Sequence, residues 1–174
     1  MYSWKAYFIV LADYQHWANE VLFGSLDHLQ AEVIGSDQGL YFNSIHHSVD
    51  HILLVSQVWQ ARLRGESMEA NYRVVNQPDF RELKQALRRE TRKLQSWLEA
   101  QPEAFFEAEI SFAGGDGKPR QMWARDALTH LFTHYAHHRG QISAVITRLG
   151  GPCPEMDFVY YRREMDRLLN EVKT

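Results

Sequence analysis

Seven of the nine histidines fall in two short windows. His46, His47 and His51 occupy the first. His130, His134, His137 and His138 occupy the second, in the run Thr129-His130-Leu-Phe-Thr-His134-Tyr-Ala-His137-His138-Arg139-Gly140-Gln141. Imidazole is the commonest metal ligand and the side chain that titrates near neutral pH. Two such windows predict one site where they meet, suited to holding a cation or moving protons.

Helical geometry sorts the candidates. At about 100° per residue, His134 and His138 lie about 40° apart, on the arc that also carries Ala127, Leu131, Ile142, Val145 and Leu149. Both rings are therefore expected to face the core, and an i, i+4 pair on one helix face can hold a single ion. His137 turns about 60° away, to the edge of that face or beyond it, and His130 is a marginal candidate one turn upstream. His51 sits among Leu54, Val55 and Val58 and also faces inward. His47, one turn earlier, reaches the same place if the register differs, whereas His46 points elsewhere. Buried imidazoles without partners would cost roughly 1–3 kcal/mol each, and a shared cation removes that cost for all of them. A polar core network without metal is the plainer alternative. Three histidine ligands leave a position open, as in catalytic rather than closed structural sites, where an ion lowers the pKa of bound water or of an incoming thiol. Imidazole suits zinc, nickel, copper and iron alike. Gln141, a turn beyond His138, is placed to orient a ligand. Arg139, about 100° from His138, points to an anionic substrate or a surface carboxylate. Gly140, costly inside a helix, marks either the close approach of another helix or chain or a tolerated defect.

The elements that must carry these residues read as an all-α four-helix bundle. The first helix is expected from about Ser3 to Leu29 and the second from Ile45 to Leu63, capped by Asn43 or Ser44. A third opens at the capping pattern Asp79-Phe-Arg-Glu82. The fourth runs from Ala124 to Leu149, and a shorter one from about Asp157 to Val172 closes the chain. Between Pro102 and Trp123 alternating apolar residues and Ala-Gly-Gly-Asp-Gly-Lys-Pro119 predict a small β-hairpin. No repeat or linker divides residues 1–174, so one domain is expected.

Composition narrows the partners. Hydrophobic residues make up 45% and charged residues 24%, a globular balance. A net charge of -3 offers no electrostatic footing for nucleic acid or an anionic membrane. No apolar run reaches the ~18 residues of a membrane span, and the N-terminal run, interrupted by Asp13, reads as helix rather than signal peptide. The single cysteine, Cys153, cannot make an internal disulfide and has no base placed beside it by the sequence. A cytoplasmic location is expected.

Three stretches resemble the DinB/YfiT-like family of bacterial metal-binding four-helix bundles. They are Tyr14-Gln-His-Trp17-Ala18-Asn19-Glu-Val-Leu22; Ser44-Ile45-His-His-Ser-Val49-Asp-His51-Ile52-Leu53 with Trp59-Gln-Ala-Arg-Leu63; and His134-Tyr-Ala-His137-His138-Arg139-Gly140-Gln141. The tail Gly151-Pro-Cys-Pro154-Glu-Met156-Asp157 is similar to the family's close. The resemblance implies a divalent-metal triad of His51, His134 and His138, with zinc or nickel as the expected ion. It also implies a low-molecular-weight thiol as co-substrate in a metal-dependent S-transferase-like reaction on a small electrophile. A non-catalytic metal-binding or stress-response protein of the same fold is the alternative. The family tendency to pair, with apolar residues such as Trp4, Phe8 and Trp97 expected to be exposed, implies a homodimer. Because imidazole must be neutral to ligate, metal affinity is expected to fall between about pH 7 and pH 5.

Overall fold

A computed structural model describes residues 3–152 and 154–171, so Cys153 and the end expected for the last helix lie outside the described residues. Helix α1 spans Trp4–Leu26 and starts where Ser3 Oγ accepts from the Ala6 amide at 3.0 Å. Helix α2 is Ala31–Gly35, α3 is Ile45–Leu63, α4 is Phe80–Ala100, α5 is Ala124–Arg148 and α6 is Phe158–Glu171. Ser44, not Asn43, caps α3: its hydroxyl accepts from the His47 amide at 3.0 Å. Asn43 instead takes a positive φ of 61°, a conformation asparagine tolerates better than most residues. Asp79 caps α4 through the Glu82 amide at 2.9 Å.

The expected hairpin is present, with β1 Glu109–Ala113 paired antiparallel to β2 Pro119–Trp123, Glu109 opposite Trp123 and Ala113 opposite Pro119. Its end starts α5 directly. The Ala124 amide donates to Ala108 O at 2.8 Å, so backbone takes the place of a side-chain cap. Helix α2 and a 3-10 turn at Glu103–Glu107 were not expected, because five residues are too few to show a helical period. Phe106, inside the stretch where alternating apolar residues predict the hairpin, belongs to that turn and is fully buried.

Helices α1 and α3 each pack against both α4 and α5. The four therefore circle the core in the order α1, α4, α3, α5, with α1 and α3 at opposite corners. Residues 27–44 make the crossing between those corners, and Arg148 Nη2 ties this segment to the end of α5 by donating to Gln38 O at 2.8 Å. The core between the helices is filled by Phe8, Leu22, Ile45, Ile52, Leu87, Leu94, Leu131 and Ile142 among others. Phe8, expected on the surface, is completely buried and stacks on Phe106 and Phe132 at 5.9 and 6.1 Å. Trp4 and Trp97 are half-buried and pack against the same core. Among the described residues no helix is long and apolar enough to cross a membrane.

Candidate metal centre

The side-by-side packing of α3 and α5 brings His51 to face His134 and His138. One ring nitrogen from each lies within 4.8 Å of the others. His51 Nε2 is 3.1 Å from His134 Nε2, and the His138 ring centroid is 4.6 Å from that of His51 and 4.4 Å from that of His134. His138 Nδ1–H donates to Gln141 Oε1 at 2.9 Å, which leaves Nε2 as its lone-pair nitrogen. Gln141 in turn donates to His137 Nε2 at 3.2 Å.

Burial keeps this cluster neutral. Desolvation, followed by the charges His138, His134 and His47 would carry, pulls the His51 pKa down from 6.5 to about 3. The same causes, with His138, His130 and His137 as neighbours, bring His134 to about 4. His138 is also lowered by desolvation, although its bond to Gln141 opposes the shift. Three neutral imidazoles converging without an acid between them are a donor set for a divalent cation. Buried His51 Nδ1 has no hydrogen-bond partner, so no bond from that nitrogen competes with turning the ring toward an ion. The residues present fit the ion that the sequence implies.

Around the triad lies a cavity of about 910 Å³. Phe42 stacks on His51 at 4.0 Å and closes one side. Tyr72 meets the His51 ring edge-on at 5.6 Å. The segment bearing Tyr72 and Arg73 is pinned to α3 by Asp50, whose carboxylate accepts from the Asn76 and Gln77 amides at 2.9 and 2.8 Å and from Asn76 Nδ2 at 3.0 Å. His46 Nε2 donates to Gln77 O at 2.8 Å, holding the same segment. Toward the hairpin the wall continues through His130, Trp59 and Arg62. No Asp or Glu is among the described residues lining the cavity.

Three other histidines flank the triad without joining it. His47 lies against Phe42 and lines the cavity, His137 is exposed, and the His130 ring is 5.5 Å from that of His134. Arg139 does not reach the surface. It is 1% exposed, donates to Gln15 Oε1 and lies over the Tyr14 ring at 5.5 Å. Its direction from the ligand face leads into the α1 interface, not to solvent. A Cβ at Gly140 would meet nothing within 4 Å, so no close approach of another helix of this chain explains that glycine. Phe42, Asp50 and Tyr72 went unread. Only Asp50 left a signal, as the sole acid in α3.

The sequence profile of the DinB family matches residues 1–168. Protein DinB of Bacillus subtilis (strain 168) is 20% identical over 158 residues, 87% of this chain and 91% of that protein. Among solved structures, YfiT from Bacillus subtilis, described as a probable metal-dependent hydrolase with an unusual four-helix bundle topology, superposes with a TM-score of 0.67 at 14% identity, covering 84% of this chain and 87% of the other. A DinB-like protein from Bacillus cereus ATCC 10987 superposes with a TM-score of 0.61 at 19% identity, over 79% and 89% of the two chains.

Proposed function

The chain belongs to the DinB family, and we propose that it is a metal-dependent enzyme that transfers a small thiol to an electrophilic carbon. His51, His134 and His138 would hold a divalent ion, zinc or nickel, leaving a position open toward the cavity. When bound, such an ion favours the thiolate form of a coordinated thiol, which is the nucleophilic form. The remaining work belongs to the chain. Phe42 and Tyr72, which flank the His51 ring, would border the bound thiol, and Gln141 holds His138 in the tautomer that presents Nε2. A new sulfur–carbon bond forms as the leaving group departs with its bonding pair, and the thiol proton passes to solvent.

The observation carrying this reading is a cavity with three converging imidazoles and no carboxylate in its described lining. Hydrolysis at comparable helix-borne zinc sites uses a glutamate to take the proton of water. A thiol already held as thiolate needs no such base. Hydrolysis is the second reading, favoured by the description given to YfiT, and it would assign the base to His47 or His130.

Cobalt-substituted protein tests the two readings together. Glutathione or cysteine should add a sulfur-to-cobalt charge-transfer band, absent in His138→Ala, and thiol consumption with an aryl halide should be faster with the metal-loaded protein than with the chelated form. Metal-dependent ester cleavage without thiol, and no band with either thiol, would replace transfer by hydrolysis.

A further inference from the structure

The cavity extends well past the triad, and its far end is positively charged. His134 contacts His130 at 5.5 Å, His130 contacts Trp59 at 4.9 Å, and Arg62 Cζ lies over the Trp59 ring at 4.7 Å. The guanidinium is also 4.9 Å from the Phe112 ring, and Nη2 donates to Ala113 O at 3.4 Å. Two aromatic faces and the hairpin thus fix its position, while its other N–H donors remain available to a ligand. Arg73 lines the same cavity from the segment pinned by Asp50. Among the described residues neither Arg62 nor Arg73 forms an ion pair. Guanidinium groups inside a cavity without an acid are suited to a planar oxyanion from outside the chain.

We propose that this end is a carboxylate subsite, and that the organic ligand of the cavity is an elongated acid whose anionic end is held by Arg62, with Arg73 closing over it. Helical rise sets the length. Arg62 is eleven residues beyond His51 on α3, ~16 Å of helix, and long side chains lean back toward the N-terminus, so the carboxylate binds roughly 10 Å from the triad. A ligand spanning that distance passes the aromatic wall of Trp59. The assignment of its other end, as a thiol at the ion, rests on the function proposed above. The carboxylate subsite does not.

Calorimetric titration of the zinc-loaded protein separates these statements. Mercaptooctanoate should bind roughly tenfold or more tighter than its neutral amide, whereas mercaptoacetate, too short to reach, should show no such preference over its amide. Arg62→Gln should remove the preference for the acid and Arg62→Lys should restore part of it, which a purely structural role would not do. Arg73→Gln, on an exposed segment that leaves the bundle intact, should reduce it. Octanoate, which has no thiol, should bind in an Arg62-dependent way. If octanoate binds so while no thiol gives a sulfur-to-cobalt band, the subsite stands and the thiol reading falls. Equal binding of the long acid and its amide, or an acid preference unchanged in both arginine variants, would overturn the subsite.

Discussion

Each imidazole of the triad is held by a different neighbour: His51 by the stacked ring of Phe42, His138 by Gln141, and His134 by its place between them. Metal content should therefore depend on them unequally. His134→Ala should abolish tight binding, His46→Ala should leave it intact, and Gln141→Ala should weaken it by about tenfold to a hundredfold, as for other partners that orient a ligand; elemental analysis after dialysis reads all three. Identical metal content in His134→Ala and His46→Ala would remove the assignment. The pH course expected from sequence also changes. Ordinary imidazoles lose metal near their unperturbed pKa, but His51 and His134 are depressed to about 3 and about 4. Between those values and 6.5 the unfolded chain binds protons that the folded chain does not. Their contribution to stability is thus complete above about pH 6.5 and declines as pH falls toward 3. Metal should accordingly stay bound at about pH 5 and leave with the circular-dichroism unfolding transition, not before it. Metal loss centred near the ordinary histidine pKa in a still-folded protein would contradict this. The convergence of His51, His134 and His138 was legible in the sequence because helical spacing fixes direction. Arg139 was not, because spacing gives an angle but not which helix lies at that angle.

The elements around the triad differ in how plainly the sequence announced them. Helices α3, α4 and α5 were readable to within a residue or two, since caps such as Ser44 and Asp79 and turns of apolar period mark their ends. The segment between α3 and α4 has neither period nor regular structure, yet it supplies Tyr72 and Arg73 to the cavity. What shapes it is Asp50, a buried carboxylate satisfied by three donors from Asn76 and Gln77. A contact between residues about twenty-six positions apart leaves no local pattern. Replacing Asp50 with alanine would strand those donors and cost about 2–3 kcal/mol, given bonds to a charged acceptor. Limited proteolysis should then cut between residues 66 and 78 much faster than in the wild type. The triad should still take up metal, because α3 and α5 pack directly against each other regardless of that segment. An unchanged cleavage rate would show that the segment is held by something other than Asp50.

On the scale of the whole molecule, the apolar surface that first suggested pairing has moved. Trp4, Phe8 and Trp97 pack within their own bundle, so they offer a partner little. Exposed apolar residues cluster instead on α6, where Phe158, Val159, Leu168 and Leu169 all reach the surface; this helix docks on α1 chiefly through Tyr161, whose hydroxyl donates to Asp13 Oδ2 at 2.6 Å. Phe158 and Leu169 remain 39% and 59% exposed. Eleven residues separate them, about 20° on the helical wheel, so they share one face. A second copy covering that face would stabilise the helix further, each Leu or Phe removed from water contributing roughly 1.5–3 kcal/mol. The expected assembly is a homodimer in which α6 takes part, and light scattering at micromolar concentration should give twice the chain mass of 20.4 kDa. Leu169→Glu would place a charge in that interface and should return the monomer while leaving the helical content and the metal content unchanged, since the triad lies between α3 and α5. A wild-type monomer would remove the dimer altogether; a dimer indifferent to Leu169→Glu would move the contact to another face.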